Sequence, residues 1–256
     1  AVTFFRGLQD RICAALQRAD GGASFREDTW QRPGGGGGRS RVIENGNVFE
    51  KGGVNFSEVY GELSPEFAKQ LPGDGPTFTA AGVSLVVHPR SPLVPTVHAN
   101  FRYLTHGAKR WFGGGGDLTP YYPLKADVIH FHRTWKKVCD AHPGVADYAK
   151  MKKDCDEYFH LKHRGEARGV GGIFYDYQDP AGVLYKGQDP QGPAAQVGQA
   201  TGAIGQSWEQ LFALASACGN AFCRTDLSFV GSFFKGASGF CPALSKSEAT
   251  NVDCGF

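Results

Sequence analysis

The sequence predicts an α+β domain with a largely antiparallel sheet. Two observations lead to this fold class: β-prone segments joined by short links come first along the chain, and amphipathic helical segments follow mostly later. A chain built from alternating βαβ units would instead interleave the two kinds of segment. With 256 residues, the chain is long enough to bury a substantial core, and we expect a single domain.

The N-terminal part predicts a helix followed by a hairpin. Residues 4–19 carry apolar side chains along one helical stripe, and the glycines at 21 and 22 provide its end. Residues 41–50 place Asn45-Gly46 between two β-prone halves. Both residues tolerate positive φ, so a hairpin is expected there. The five glycines at 34–38, taken alone, favour a flexible loop.

The middle of the chain predicts several strands. Residues 54–60 read as one strand, and residues 82–88 and 96–104 as two more. The last two are separated by a link with three prolines, which excludes regular structure between them. A short strand at 110–112 leads into four glycines.

The second half predicts mainly helices. Amphipathic stripes occur over residues 128–138, 148–159 and 208–222. Between the last two, a glycine-rich turn at 169–172 leads into an aromatic strand. Residues 178–206 are rich in Gly, Gln and Pro, and we expect a long surface loop there.

The composition excludes several classes of function. A net charge of +2 and short basic clusters argue against nucleic-acid binding, which depends on neutralising phosphates. No apolar run approaches the roughly 20 residues of a membrane span, so we expect a soluble protein. Seven scattered cysteines without a CxxC pair favour a reducing compartment with buried thiols.

The most informative strand is the one at 96–104. Alternate side chains of a strand share a face, so His98, Asn100 and Arg102 project together. An imidazole, an amide and a guanidinium in one row can bind a carboxylate ligand. An equally good interpretation is the solvent-facing side of an ordinary strand. If the preceding strand pairs with this one, Ser84 and His88 join the same row.

Two further features could add to such a site. Asp117 directly follows the glycines at 113–116, which let a backbone approach a flat ligand closely. His88, His98, His132 and His163 could together bind a divalent metal, although their spacing is not a metal signature. His132 and His163 lie on predicted helices, where a core or capping role is the simpler interpretation.

Taken together, these segments resemble oxygen-dependent coproporphyrinogen III oxidases. The resemblance is carried by blocks in the family's order, from the first helix to about residue 222: residues 25–42, 50–60, 82–89, 94–103, 111–120, 130–133, 155–164 and 169–174. It implies a large flat, mainly antiparallel sheet with helices on both faces, assembled as a homodimer. It also implies oxidative decarboxylation of two propionates of coproporphyrinogen III to vinyl groups, giving protoporphyrinogen IX. Molecular oxygen would be the co-substrate, with no organic cofactor.

The resemblance also implies roles for particular residues. His98 would be the proton donor, and Ser84, Asn100 and Arg102 would bind substrate. Asp117 would lie near the tetrapyrrole nitrogens. Our mechanistic hypothesis is that Asp117 activates a pyrrole while Arg102 orients the leaving carboxylate. The four histidines, His88, His98, His132 and His163, are the positions assigned to a metal whose requirement is disputed.

The resemblance covers residues 1–224, and we expect residues 225–256 to form a divergent tail. Since further strands and a substrate-contacting segment of the family have no counterpart in that tail, a catalytically impaired tetrapyrrole-binding relative is the alternative function. A histidine-dependent metal-binding protein is a third. We expect the cytoplasm as compartment, or a plastid stroma or mitochondrion if a leader has been lost.

Overall fold

Residues 1–178 of the chain are described by a computed structural model, and they contain one seven-stranded antiparallel sheet. The strands lie in the sheet in the order in which they occur along the chain. The helix expected at 208–222, the loop after residue 178 and the tail at 225–256 lie outside the described residues. The elements are α1 (Val2–Asp20), β1 (Arg26–Gln31), β2 (Gly36–Glu44), β3 (Phe49–Glu62), α2 (Pro65–Ala68), β4 (Thr77–Pro89), β5 (Thr96–His106), β6 (Lys109–Thr119), α3 (Lys125–Asp140), α4 (Tyr148–Tyr158) and β7 (Gly172–Gln178).

One face of the sheet, which we call the packed face, forms the core with the helices. Alternate residues of four strands are buried there: Val54, Phe56, Val83, Leu85, Val87, Val97, Ala99, Phe101, Ile173 and Tyr175. Helix α1 adds Leu8, Ile12 and Leu16 to this cluster, and α3 adds Trp135. Each fully buried side chain of this size stabilises the fold by roughly 1.5–3 kcal/mol. The predicted α+β class and antiparallel sheet are confirmed.

Helix α4 lies beside the edge strand β7 and reaches both faces. Met151 belongs to the buried cluster. At the C-terminal end of the helix, the Tyr158 ring stacks on Phe174 at 4.2 Å, on the face opposite the core. Among residues 1–178, none of the helices is both long and apolar enough to cross a membrane.

The glycine runs form strands, in contrast to the loop expected for residues 34–38. Residues 36–38 belong to β2; all three pair with β3, and Gly37 and Gly38 also pair with β1. A Cβ at Gly36 would lie 2.1 Å from the carbonyl oxygen of Glu58, and one at Gly38 would lie 2.4 Å from the Trp30 ring. The flexible-loop interpretation is therefore wrong for these three positions, because neighbouring atoms occupy the space of a side chain. The glycines at 113–116 likewise continue strand β6.

Asp20 anchors the end of α1 to the turn between β2 and β3. Its side chain, 4% exposed, accepts hydrogen bonds from the backbone N–H groups of Gly22, Ala23, Asn47, Val48 and Phe49. Burial alone would raise the pKa of Asp20, but the backbone hydrogen bonds outweigh it and lower the pKa to about 2. The turn is the predicted hairpin, with Asn45 at φ 55°.

The cysteines of the described region are buried free thiols, as predicted for core residues. Burial raises the pKa of Cys13 and Cys139 to about 11 and that of Cys155 to about 12. The thiolate, which is the reactive form, is therefore disfavoured at all three positions.

Candidate active site

The second face of the sheet, which we call the polar face, brings the predicted site residues together. Strand β4 pairs with β5 so that Ser84 lies opposite Asn100, and β5 pairs with β6 so that His98 lies opposite Asp117. Arg102 follows Asn100 by two residues along β5. The predicted pairing across the proline-rich link is confirmed. Ser84, His98, Asn100, Arg102 and Asp117 thus share one face of three adjacent strands.

Asp117 is the centre of a buried ion-pair network on this face. Its side chain is only 2% exposed. Arg168 donates from Nε to Oδ2 at 2.9 Å and from Nη2 to Oδ1 at 2.7 Å, so it grips both carboxylate oxygens. Nδ1 of His98 lies 2.7 Å from Oδ1. A bidentate arginine–carboxylate pair is stronger and more rigid than a single contact.

The contacts of His98 indicate which ring nitrogen is engaged within the chain. A carboxylate oxygen can only accept a hydrogen bond, so Nδ1 of His98 carries a proton and donates it to Asp117. Nη2 of Arg168, 3.4 Å from the same nitrogen, has no acceptor capacity. Nε2 is therefore the ring atom left to exchange a proton with a bound molecule.

Phe159, the residue after α4, covers this network. The Arg168 guanidinium carbon lies 3.5 Å from the centre of the Phe159 ring, a close cation–π contact. The same ring meets His98 edge-to-face at 5.8 Å. Phe159 therefore contacts both partners of Asp117 and limits how far either can move.

Arg102 belongs to a second, separate network. It donates from Nη1 to the amide oxygen of Asn100 at 2.9 Å and from Nη2 to Asp176 at 2.9 Å. Its guanidinium carbon also lies 5.9 Å from the centre of the Phe174 ring. The residue predicted to bind a propionate thus already has a carboxylate partner within the chain.

The four histidines expected to bind a metal do not fit a common site. No group of three or more His, Cys, Asp or Glu side chains in the described part of the chain could hold a metal ion. The ring of His132 is engaged at both nitrogens, 3.1 Å from the Val170 carbonyl oxygen and 2.9 Å from the Tyr148 hydroxyl. Nδ1 of His88 lies 3.5 Å from the hydroxyl of Thr96, and His163 is exposed.

Burial lowers the pKa of His88, and burial together with the nearby Lys152 charge lowers that of His132. Both shifts favour the neutral form of the ring.

Three residues of these networks were not among the predicted site residues: Phe159, Arg168 and Asp176. Arg168 lies 51 residues from Asp117 along the chain, and periodicity within one element carries no information about such a contact. The position of Arg168 just before the glycine-rich turn into β7 is the one local signal that could have indicated it. The backbone N–H of Val170 donates to the Leu118 carbonyl, which fixes this turn beside Asp117.

Sequence comparisons identify the family. The sequence model of coproporphyrinogen III oxidase matches residues 1–232. The chain belongs to this family. A curated oxygen-dependent coproporphyrinogen-III oxidase from Prochlorococcus marinus (strain MIT 9313) is 60% identical over 218 residues, which is 84% of this chain and 62% of that protein. Enzymes of the same name from Parasynechococcus marenigrum (strain WH8102) and Synechococcus sp. (strain CC9605) are each 60% identical over 219 residues, 84% of this chain and 60% of theirs.

The chain spans about three fifths of the length of the curated relatives that it matches. The family match includes the whole described region and therefore every residue of the two networks.

Proposed function

We propose that this chain performs the oxygen-dependent oxidative decarboxylation of coproporphyrinogen III, converting two propionates to vinyl groups and giving protoporphyrinogen IX. The observation that carries the proposal is the polar face, where His98, Asp117 and Arg168 form one network and Arg102 with Asn100 forms another beside it. The family match and the names of the relatives give the substrate.

The reaction balances without an organic cofactor. Each propionate loses its carboxyl carbon as CO2 and two hydrogens in all, and O2 takes up two electrons and two protons to become H2O2. The pyrrole rings of the substrate are electron-rich, so the substrate itself can supply the electrons to oxygen. The protein then has to bind and orient an acidic macrocycle, exclude competing reactions and move protons.

The residues of the polar face divide these tasks in our proposal. Arg102 binds the carboxylate of a propionate, and Asn100 and Ser84 hydrogen-bond to the substrate beside it. His98 exchanges a proton through Nε2. Arg168 adds a second positive charge next to the reacting group.

For Asp117 we propose an orienting role in place of the hypothesis that it acts as the base toward a pyrrole. Both of its oxygens already accept hydrogen bonds within the chain, from His98 and Arg168. A pyrrole N–H would have to share one of them. The contacts that Asp117 already makes are those needed to fix the tautomer of His98 and the orientation of the Arg168 guanidinium.

The remaining parts of the proposal concern partners, metals and compartment. We propose O2 as the co-substrate, a homodimeric assembly and a cytoplasmic site of action, or a plastid stroma or mitochondrion where a targeting segment is attached. Light scattering of the purified chain tests the dimer. The expected divalent metal stays a prediction, which metal analysis after chelation tests, and none of the proposed steps passes through it.

Turnover of coproporphyrinogen III in air tests the function directly. The purified chain should convert propionate to vinyl groups with one H2O2 per CO2, as followed by chromatography of the oxidised porphyrins. Asp117→Asn should reduce the rate by roughly ten-thousand-fold, because the loss of the aspartate that orients a catalytic histidine has an effect of this size in other enzymes. Asp140→Asn, which removes an exposed carboxylate on α3, is the matched control and should leave the rate unchanged. A folded wild-type chain that binds the substrate without turnover would contradict the proposal.

A further inference from the structure

The polar face contains two arginine–aspartate pairs that differ in how firmly they are held. Asp117 is 2% exposed and accepts two hydrogen bonds from Arg168 as well as one from His98. The Asp176 side chain is 25% exposed and accepts one hydrogen bond from Arg102. Separating the first pair would leave the buried Asp117 carboxylate without its cationic arginine partner and with only the His98 contact, which is costly. Separating the second exposes a carboxylate that water already reaches.

Arg102 has contacts other than Asp176 that hold it in position. Its Nη1 is fixed by the amide oxygen of Asn100, and its guanidinium lies near the Phe174 ring. Asp176 contacts only the other terminal nitrogen, Nη2. The second oxygen of Asp176 accepts the backbone N–H of Tyr177 at 2.9 Å, a local contact that is independent of Arg102.

We infer that Asp176 is an exchangeable counter-ion of Arg102, which a propionate of the substrate displaces when it binds. This inference rests on the proposed function, in which Arg102 receives a propionate. A propionate and the Asp176 side chain present the same group, a carboxylate, to Nη2. Arg102 is therefore paired with a carboxylate both before and after the exchange, and no unpaired guanidinium is left on the polar face in either state.

This exchange selects for ligands that carry several carboxylates on one frame. A free monocarboxylate has to compete with Asp176, which is fixed beside Arg102 at a high effective concentration. A propionate on a macrocycle that is already bound elsewhere on the polar face has the same advantage and can displace it. Asp176 thus lowers the affinity for the substrate somewhat and that for small carboxylates more.

Binding of coproporphyrin III, the stable oxidised form of the proposed substrate, tests the inference. Its absorbance and fluorescence allow titration against the full chain. Partly exposed ion pairs change an equilibrium by a factor of roughly 1.5 to 5. Asp176→Asn keeps the shape of the side chain and its contact with Tyr177, and it should lower the Kd for coproporphyrin III by roughly two- to five-fold. Propionic acid should also inhibit binding at lower concentration than in the wild type.

Three controls separate this effect from others. Asp176→Glu keeps the carboxylate and should bind as the wild type does. Asp156→Asn removes a negative charge on α4 that pairs with Lys152 and not with Arg102, and it should not tighten binding. The tetramethyl ester of coproporphyrin III, which has no carboxylates, should bind equally to wild type and Asp176→Asn.

Binding by the wild type and by Asp176→Asn distinguishes a failure of the proposed function from a failure of the inference. A wild-type chain that does not bind coproporphyrin III would overturn the proposed function, and the inference with it. A wild type that binds, with Asp176→Asn binding equally or more weakly at an unchanged Tm, would overturn the inference alone. Weaker binding would mean that Asp176 positions Arg102 for the substrate and does not compete with it.

Discussion

The two faces of the sheet are made from the same strands, yet they differ in what holds them together. On the packed face, Val97, Ala99 and Phe101 of β5 are buried among apolar neighbours. On the polar face, His98 is hydrogen-bonded to Asp117 of β6 and Arg102 to Asp176 of β7, and Asn100 accepts a hydrogen bond from Arg102 of its own strand. One strand therefore contributes to the core with one set of side chains and to the candidate site with the other.

Because the two faces are held together differently, we expect stability and ligand binding to be separable along this strand. Apolar burial is non-directional and tolerates no loss of volume, whereas the polar contacts depend on the direction and charge of a few groups. A change on one face should mainly affect unfolding, and a change one residue away should mainly affect ligand binding.

The largest effect is expected from the neighbours Phe101 and Asn100. Phe101 is fully buried, so Phe101→Ala should lower the free energy of unfolding by about 3–5 kcal/mol. Asn100→Ala loses one partly buried hydrogen bond and should cost only about 1 kcal/mol. Urea unfolding measures both, and titration with coproporphyrin III should show the larger loss of affinity for Asn100→Ala. Equal destabilisation by the two changes would contradict the expectation that the packed face determines stability.

The adjacent glycines Gly52 and Gly53 of β3 provide a second test of the difference between the two faces. A Cβ at Gly52 would lie 3.2 Å from Ile43 and 3.5 Å from Val87 on the packed face, whereas one at Gly53 has no neighbour of the described residues within 4 Å. Gly52→Val should therefore destabilise by about 1–3 kcal/mol through overpacking. Gly53→Val should leave the stability within about 0.5 kcal/mol and instead weaken coproporphyrin III binding. A stable Gly53→Val variant with unchanged affinity would show that the ligand does not extend over β3.

The contribution of Asp20 to stability, which comes from attaching helix α1 to the turn between β2 and β3, should depend on pH. Its pKa is about 2 in the folded chain against an ordinary 3.8, so its contribution is fully present above about pH 4 and is lost as the pH falls towards 2. The shift corresponds to about 2 kcal/mol. Asp20→Asn should therefore be less stable than the wild type by about this amount at pH 7, with the difference vanishing near pH 2 in urea unfolding. A pH-independent difference would contradict this reading of the shift.

The smallest effect is expected from Phe159, which acts on the polar face only through its neighbours. Phe159→Leu removes the ring beneath Arg168 and should reduce turnover by about ten-fold, or about 1.4 kcal/mol, with little change in Tm. Phe159→Tyr should restore the rate. Tyr158→Leu is the matched control, because Tyr158 contacts Phe159 and Phe174. A Tyr158→Leu variant as slow as Phe159→Leu would assign the effect to the aromatic cluster as a whole.

Sequence periodicity was sufficient for the parts of the fold where neighbours along the chain are informative. Strand β5 alternates between polar and apolar residues from Thr96 to Tyr103, so its faces and its site residues followed from the spacing, and a shorter alternation over Val83 to Leu85 placed Ser84 on β4. The turn at Asn45-Gly46 followed from its need for positive φ. The spacing did not predict that the glycines at 36–38 and 113–116 form strands. Glycine has a low intrinsic preference for strands, so contacts with adjacent strands determine whether it lies in one.

The partners of the site residues could not be predicted for a different reason. Arg168 and Asp176 reach Asp117 and Arg102 from 51 and 74 residues away. Only the folded sheet brings them together. The sequence therefore named the groups that we propose contact the ligand but not the groups that hold them in place, and the orienting role now proposed for Asp117 depends on the second set.

The most direct test of the separation between the faces compares one arginine from each. Arg102 lies on the polar face beside Asn100, whereas Arg39 contacts Gln9 and Asp10 of α1 on the packed side. The measurement is the Kd for coproporphyrin III of Arg102→Gln and of Arg39→Gln. Loss of a charge-assisted contact should weaken binding by roughly ten-fold or more in Arg102→Gln, with Arg39→Gln equal to the wild type. Equal affinities for the two variants, or a larger loss in Arg39→Gln, would contradict the assignment of the polar face as the tetrapyrrole site.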